Sequence, residues 1–96
     1  MTVLATLYTT KECQFCDKFK PIWKSFAEQN KDHVNEVDCS DKPEICKKQG
    51  LYGVPCVRFT KSSEPKFKMD HVGDRTVEAL QNTLNILKKS KREKST

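Results

Sequence analysis

Cys13-Gln14-Phe15-Cys16 is the stretch that decides the fold, because two different hydrophobic patterns meet at it. From Val3 to Tyr8, both alternating sets of positions are largely apolar, which is typical of a central strand covered on both faces. From Cys16 to about Asn30, apolar side chains recur at helical spacing. The two cysteines therefore stand at a predicted strand-to-helix junction, with the second about one helical turn after the first.

The rest of the chain continues to alternate between strands and helices. In chain order, the pattern predicts a strand at 3–8, a helix at 16–30, a strand at 34–37, a short helix ending at 49, a strand at 56–60, a hairpin loop at 61–65, a strand at 66–72 and a helix from 76. Pro21 lies inside the first helix and is expected to kink it, because proline offers no N–H to the helical ladder.

This order, βαβαββα, predicts an α/β fold with a four-stranded mixed sheet. Two strands joined through a helix run parallel, whereas the last two strands form an antiparallel hairpin. Helices on both faces of such a sheet make a three-layer sandwich.

Length and composition indicate a single soluble domain. The chain has 96 residues, of which 35% are hydrophobic and 32% charged. We assign 1–88 to the domain and 89–96 to a basic, flexible C-terminal tail. No apolar run reaches the ~20 residues of a membrane span, so we expect no membrane partner, and we expect a monomer. The N-terminus has no basic region of the signal-peptide type, which predicts a cytoplasmic protein as written; the secretory pathway applies only if a leader was removed.

Basic charge is concentrated at the C-terminus. The net charge is +5, from 18 Lys and Arg against 13 Asp and Glu, and much of the excess lies in 88–96. Such a segment can be a targeting or nucleic-acid tail, but a solvated chain end is the interpretation we favour. The body of the chain shows no basic stripe interleaved with aromatic residues, so we expect no nucleic-acid partner.

The dithiol at the helix start predicts redox chemistry. Free N–H groups and the positive end of the helix dipole stabilise an anion near the first sulfur. We therefore expect the pKa of Cys13 to fall below the free value of about 8.5, which makes it the candidate nucleophile. Cys16 can then attack the mixed disulfide on Cys13, which makes it the candidate resolving cysteine.

The alternative for this motif is half of a zinc site. Tetrahedral zinc needs a second ligand pair, typically another C-x-x-C or a pair of histidines. The remaining cysteines, Cys39, Cys46 and Cys56, form no such pair, so we predict no metal site and favour redox chemistry. The five cysteines are an odd number, so a set of structural disulfides leaves one thiol with another role.

Four segments give a specific resemblance that covers nearly the whole chain. Cys16-Asp-Lys-Phe-Lys-Pro21-Ile-Trp resembles the active-site helix of thioredoxins and protein disulfide isomerases, in which a proline stands five residues after the second cysteine. Three further segments resemble isomerase motifs in the same order and spacing: Glu36-Val-Asp-Cys39, Ile45-Cys-Lys-Lys-Gln-Gly-Leu-Tyr-Gly-Val-Pro55 and Gly73-Asp-Arg-Thr76. The resemblance identifies a member of the thioredoxin superfamily.

Two departures from that pattern resemble glutaredoxins instead. Thioredoxins and isomerases carry Trp just before the first cysteine and a buried acid six residues before it, where this chain has Glu12 and Leu7. Glutaredoxins lack that acid and favour an aromatic residue between the cysteines, as Phe15 is here. However, the glutaredoxin Thr-Val-Pro is Gly53-Val54-Pro55 in this chain, and the Gly-Gly-x-Asp signature is absent around Gly73.

The resemblance also implies roles for residues outside the dithiol. It implies a cis peptide at Val54-Pro55 that faces the disulfide and presents the Val54 backbone to an extended substrate. Cys39 and Cys46 match a structural disulfide of isomerase domains, although in a reducing compartment two free thiols are the alternative. Cys56 is a candidate secondary redox cysteine, and an inert, half-buried thiol is the alternative that we favour.

The function expected from the sequence is that of a thiol–disulfide oxidoreductase acting in cell redox homeostasis. Cys13 and Cys16 would reduce, form or exchange disulfides in protein substrates, with an unidentified redox partner and no cofactor. One alternative is a glutaredoxin-like enzyme that uses glutathione as a co-substrate, with or without an iron–sulfur cluster. The other is a non-enzymatic metal-binding or interaction module.

Overall fold

A computed structural model describes residues 3–51 and 53–90, which form four strands and three α-helices with one short 3₁₀ turn. The elements are β1 Val3–Thr9, α1 Gln14–Gln29, a 3₁₀ turn Lys31–His33, β2 Val34–Asp38, α2 Pro43–Gln49, β3 Cys56–Lys61, β4 Glu64–Asp70 and α3 Val77–Ser90. This confirms the predicted βαβαββα order. No helix in the described residues is long and apolar enough to span a membrane.

The strands form one mixed sheet in the order β2-β1-β3-β4. β1 and β2 are parallel, and β3 is antiparallel to both of its neighbours, β1 and β4. The predicted parallel pair and antiparallel hairpin are therefore confirmed. As a consequence, β1, β2 and β4 finish and β3 starts at the same end of the sheet, which we call the Thr9 end.

One face of the sheet carries the apolar core. Alternating residues of β1 and β3 point to this face and pack against the apolar stripes of α1 and α3. The core residues are Val3, Ala5, Leu7, Phe19, Trp23, Phe26, Val57, Phe59, Leu80, Leu84 and Leu87. Burial of one such large side chain contributes about 1.5–3 kcal/mol, so this face fixes α1 firmly on the sheet.

The opposite face is more polar and carries α2. Thr6 and Arg58 are paired across β1 and β3 and are both buried on this face. The Arg58 guanidinium donates a hydrogen bond to the backbone carbonyl of Gln49, the last residue of α2. This contact places the end of α2 against the second face, as the three-layer prediction requires.

The start of α1 differs from the sequence prediction by two residues. The predicted helix begins at Cys16, whereas α1 begins at Gln14 because Cys13 is its N-cap. The Cys13 sulfur accepts the backbone N–H of Cys16 at 3.1 Å, as a capping oxygen does in other helices. Pro21 lies inside α1, which continues to Gln29.

The hairpin between β3 and β4 is tighter than predicted. We expected a loop at 61–65 and a strand at 66–72, but β4 spans Glu64–Asp70 and includes Pro65. β4 pairs with β3 on one side only, and proline is tolerated in such an edge strand. At the C-terminus α3 continues to Ser90, two residues past the predicted domain boundary. The rest of the predicted tail, 91–96, lies outside the described residues.

Candidate active site

Cys13 and Cys16 are joined by a disulfide at the N-terminus of α1, with their Cα atoms 5.2 Å apart. The two sulfurs differ in accessibility, because Cys16 is 1% exposed whereas Cys13 is only partly buried. The Cys13 sulfur also accepts the Cys16 N–H, one of the N–H groups that the first turn of a helix leaves free. Cys13 is therefore the sulfur that an incoming group can reach, and it is held where the helix stabilises negative charge.

The loop before Cys13 is attached to the turn that follows β2. The backbone N–H of Cys39 donates to the Thr9 carbonyl at 2.6 Å, and the N–H of Lys11 donates to Ser40 Oγ at 3.0 Å. The Lys11 ammonium pairs with Asp41 Oδ1 at 3.0 Å, and this hydrogen bond raises the pKa of Lys11 above its ordinary value. These contacts connect the active-site loop to a segment that is distant in sequence.

Glu12, directly before Cys13, has a left-handed backbone conformation with φ of 56°. Non-glycine residues adopt this region only occasionally, and the surrounding structure must hold them there. Glu12 is flanked by the anchored Lys11 on one side and the N-cap Cys13 on the other. The sharp turn at Glu12 thus redirects the chain from β1 into α1.

The Val54-Pro55 peptide is cis and leads into β3 at the Thr9 end of the sheet. The next residue, Cys56, pairs with Tyr8 near the end of β1, so Pro55 lies at the end of the sheet from which the active-site loop leaves. A cavity of about 320 Å³ opens beside it, lined by Gly53, Val54, Pro55, Cys56, Asp70, His71 and Arg75. The structure thus has the cis peptide that the resemblance implied.

Apolar surface borders the dithiol on the side of α1. Phe15, between the two cysteines, is 65% exposed, and the Lys18 ammonium lies 5.9 Å from the centre of its ring. A depression of about 120 Å³ is formed there by Phe15, Lys18, Phe19, Ile22 and Arg75. Because Arg75 also lines the cavity beside Pro55, the two depressions are neighbours.

Cys39 and Cys46 form a second disulfide, with their Cα atoms 5.7 Å apart. It joins the turn after β2 to the middle of α2. Among the described residues Cys56 is the free cysteine, and it is half-buried. Burial and the Asp70 carboxylate raise the pKa of Cys56 to about 11, so its thiol stays protonated near neutrality and is a poor nucleophile.

Sequence reasoning missed the ion pair between Arg58 and Asp70. Arg58 Nε and Nη2 donate to the two carboxylate oxygens of Asp70 at 2.6 and 3.1 Å. The Arg58 hydrogen bond holds the pKa of Asp70 below its ordinary value. The available signal was an arginine between Val57 and Phe59 in a predicted strand, because an unpaired charge is costly if that position is buried.

Leu7, at the position of the buried acid of isomerases, is 1% exposed in the apolar core. This position therefore supplies no carboxyl group to the site. Among residues 3–51 and 53–90, no group of three or more His, Cys, Asp or Glu side chains is arranged to hold a metal ion.

Comparisons with known proteins agree with this geometry. The chain is 41% identical over 64 residues to NADPH-dependent thioredoxin reductase 3 of Arabidopsis thaliana, a match that covers 65% of this chain and 12% of that protein. It is 34% identical over 79 residues to protein disulfide isomerase-like 2-1 of Oryza sativa subsp. japonica, which covers 76% of this chain and 21% of that protein. The chain thus spans only a small part of the length of these relatives.

Solved structures show the same fold at low sequence identity. The Trx4 domain of ERdj5 matches with a TM-score of 0.78 and 19% identity, over 93% of this chain and 82% of that one. The first thioredoxin domain of mouse protein disulfide-isomerase A4 matches with a TM-score of 0.75 and 20% identity, over 88% of this chain and 62% of that one. The family model for thioredoxin matches residues 2–86, which is nearly the whole chain, and the chain therefore belongs to the thioredoxin family.

Proposed function

We propose that this protein is a thiol–disulfide oxidoreductase that acts on disulfides of other proteins. The observation that carries the proposal is the asymmetric pair at the start of α1. The Cys13 sulfur is accessible and accepts a helix N–H, whereas the Cys16 sulfur is buried directly behind it. One cysteine is thus placed to meet a substrate and the other to release it.

In the reducing direction, the Cys13 thiolate attacks one sulfur of a substrate disulfide. The substrate S–S bond breaks, its leaving thiolate takes a proton, and a mixed disulfide with Cys13 forms. Cys16 then loses its proton and attacks the Cys13 sulfur, so the second substrate thiolate leaves and takes a proton. Two electrons pass to the substrate, and Cys13 and Cys16 end in the disulfide of this structure. The reverse sequence oxidises a substrate dithiol.

Protein disulfides are supported as substrates by the surface around Cys13. The exposed Phe15 ring and the adjoining depressions offer apolar contact to an extended segment. In this proposal the Val54 backbone, next to the cavity beside Pro55, pairs with that segment as a strand would. The rice relative is named protein disulfide isomerase-like 2-1, which agrees with this substrate class.

Two observations favour a second candidate, the use of glutathione as a co-substrate. Leu7 replaces the buried acid, and an aromatic residue lies between the cysteines, as in glutaredoxins. The two candidates differ in the substrate they reduce. A protein disulfide is the test substrate for the first, and a glutathione mixed disulfide is the test substrate for the second.

Turnover of both substrates by the wild-type chain and by Cys13→Ser and Cys16→Ser tests the proposal. We expect Cys13→Ser to abolish reduction of the protein disulfide, and Cys16→Ser to accumulate the mixed disulfide, which mass spectrometry detects. Ser25→Ala, an exposed change on α1, is the matched control. Full activity of Cys13→Ser would refute the mechanism, and turnover of the glutathione substrate alone would favour the second candidate.

A further inference from the structure

α2 is held in place by few contacts, yet it connects two segments that lie at the Thr9 end. No residue of α2 is buried, and the helix has only seven residues, too few to be stable alone. Its N-terminal side follows the turn that contacts Thr9 and Lys11. Its C-terminal side leads within a few residues to Val54 and Pro55.

A disulfide and a hydrogen bond to Arg58 link this helix to other parts of the described chain. The first is the Cys39–Cys46 disulfide, which ties the turn after β2 to the middle of α2. The second is the hydrogen bond from Arg58 to the Gln49 carbonyl at the end of the helix. Of these two links the disulfide is the covalent one, and after its loss the Arg58 hydrogen bond at the end of the helix remains.

We propose that the Cys39–Cys46 disulfide is a positioning element for the active site. By fixing α2, it holds the turn at 39–42 against the active-site loop and holds the Val54-Pro55 segment in place for protein substrates. The expected effect of this disulfide on turnover rests on the proposed function. Its expected effect on the structure of α2 does not.

The turn at 39–42 transmits the constraint to the nucleophile. Ser40 N–H donates to Asp38 Oδ1 at 2.8 Å, and the N–H groups of Asp41 and Lys42 donate to the Asp38 carbonyl at 3.1 and 3.0 Å. The turn is therefore internally bonded and moves as a unit with Cys39. Its Ser40 and Asp41 side chains are the ones that bind Lys11, two residues before Cys13.

Reduction of Cys39–Cys46 by a dithiol removes the constraint. The S–S bond breaks, two thiols form, and the dithiol closes into its own disulfide, so two electrons and two protons move to the protein. The apolar core on the other face is unaffected, so the expected result is local opening of α2 rather than global unfolding.

Hydrogen exchange on the Cys13→Ala/Cys16→Ala chain tests the structural part without any activity. Cys39–Cys46 is then the disulfide that dithiothreitol can reduce, and mass spectrometry verifies two new free thiols in addition to that of Cys56. We expect amide exchange in α2 and at Lys11 to rise about 10-fold or more, while amides of Phe26 and Phe59 stay protected. Unchanged exchange in α2 after verified reduction would overturn the proposal.

Turnover of Cys39→Ala/Cys46→Ala with the active dithiol intact tests the functional part. We expect kcat/KM for a protein disulfide to fall about 5-fold, mainly through KM, whereas reduction of a small aromatic disulfide changes less than about two-fold. Lys47→Ala, an exposed change beside Cys46, is the matched control. Equal losses on both substrates, or none, would contradict a positioning role. A wild-type chain inactive on both would refute the proposed function, and hydrogen exchange would still decide the structural inference.

Discussion

The two faces of the sheet are built in different ways. On one face, aliphatic and aromatic side chains of β1 and β3 pack against α1 and α3 and form a continuous apolar core. On the other face, α2 contributes no buried residue and is attached by a disulfide and by Arg58. The helix that carries the dithiol thus rests on the apolar face, whereas the segments beside the dithiol depend on the polar face.

The size of the chain fits this difference. A domain of 96 residues buries a smaller fraction of its surface than a larger domain does, and its buried apolar side chains lie mainly in the core of one face. The second face therefore relies on a few directional bonds. Each of these bonds acts at a defined place, so we expect changes there to lower the stability less than changes in the apolar core do.

The largest loss of stability is expected from a substitution that leaves a cavity in the apolar core. Phe59 is fully buried, so Phe59→Ala should lower the free energy of unfolding by about 3–5 kcal/mol through lost burial and the remaining cavity. Phe15→Ala, at a 65% exposed position, should change it by less than about 0.5 kcal/mol. Denaturant titration of both variants with the disulfides oxidised measures the contrast, and comparable losses would refute it.

An intermediate effect is expected from Asp70→Asn on the polar face. The change leaves the guanidinium of Arg58, whose side chain is 5% exposed, without its carboxylate partner. Because the Asp70 side chain is one-third exposed, we expect a loss of about 2–3 kcal/mol, below that for a fully buried pair. Asp74→Asn, an exposed change nearby, is the control in the same titration.

The ion pair between Arg58 and Asp70 also predicts how the stability depends on pH. The folded-state pKa of Asp70 is lowered below the ordinary value of 3.8, so its contribution is present above that value and is lost as the pH falls through the folded pKa. The stability difference between wild type and Asp70→Asn should therefore be constant near neutrality and shrink below pH 3.8. A difference that persists unchanged in stronger acid would argue against the ion pair.

The smallest change in stability is expected from Asp41→Asn. The side chains of Lys11 and Asp41 are 66% and 59% exposed, and solvent screens such a pair. We expect the melting temperature to change by no more than about 1 °C, because the Lys11 N–H keeps its bond to Ser40. Calorimetry at low and high salt checks this, and a large decrease would show that the loop depends on the ion pair itself.

The sequence predicted the fold well where local pattern and tertiary environment agree. The apolar residues of β1, the stripe of α3 and the glycine at the end of α2 each carry a local signal, and Gly50 has the left-handed conformation that such an end requires. Local rules did not anticipate Cys13 as a helix cap, since the usual capping residues carry oxygen. Pro65 was assigned to a loop because only the finished sheet shows β4 to be an edge strand.

Sequence motifs were enough to select Cys13, Cys16 and Pro55 as candidate site residues. The contacts that support these residues could not be predicted. The bond from Lys11 to Ser40 exists because β1 and β2 run parallel and finish level with each other. The pairing of Arg58 with Asp70 depends on the register between β3 and β4, in which the two residues are direct partners. Neither strand alignment can be read from residue types along one chain.

The direction of the strands also determines where the two ends of the described chain lie. β1 starts opposite the Thr9 end, so Val3 is remote from the dithiol. α3 starts beside the site, but Gln81 in its second turn already contacts Asn30, which follows the far end of α1, at 2.7 Å. Both ends of the described chain therefore lie away from the dithiol, and further polypeptide joined at either end can leave Cys13 unobstructed.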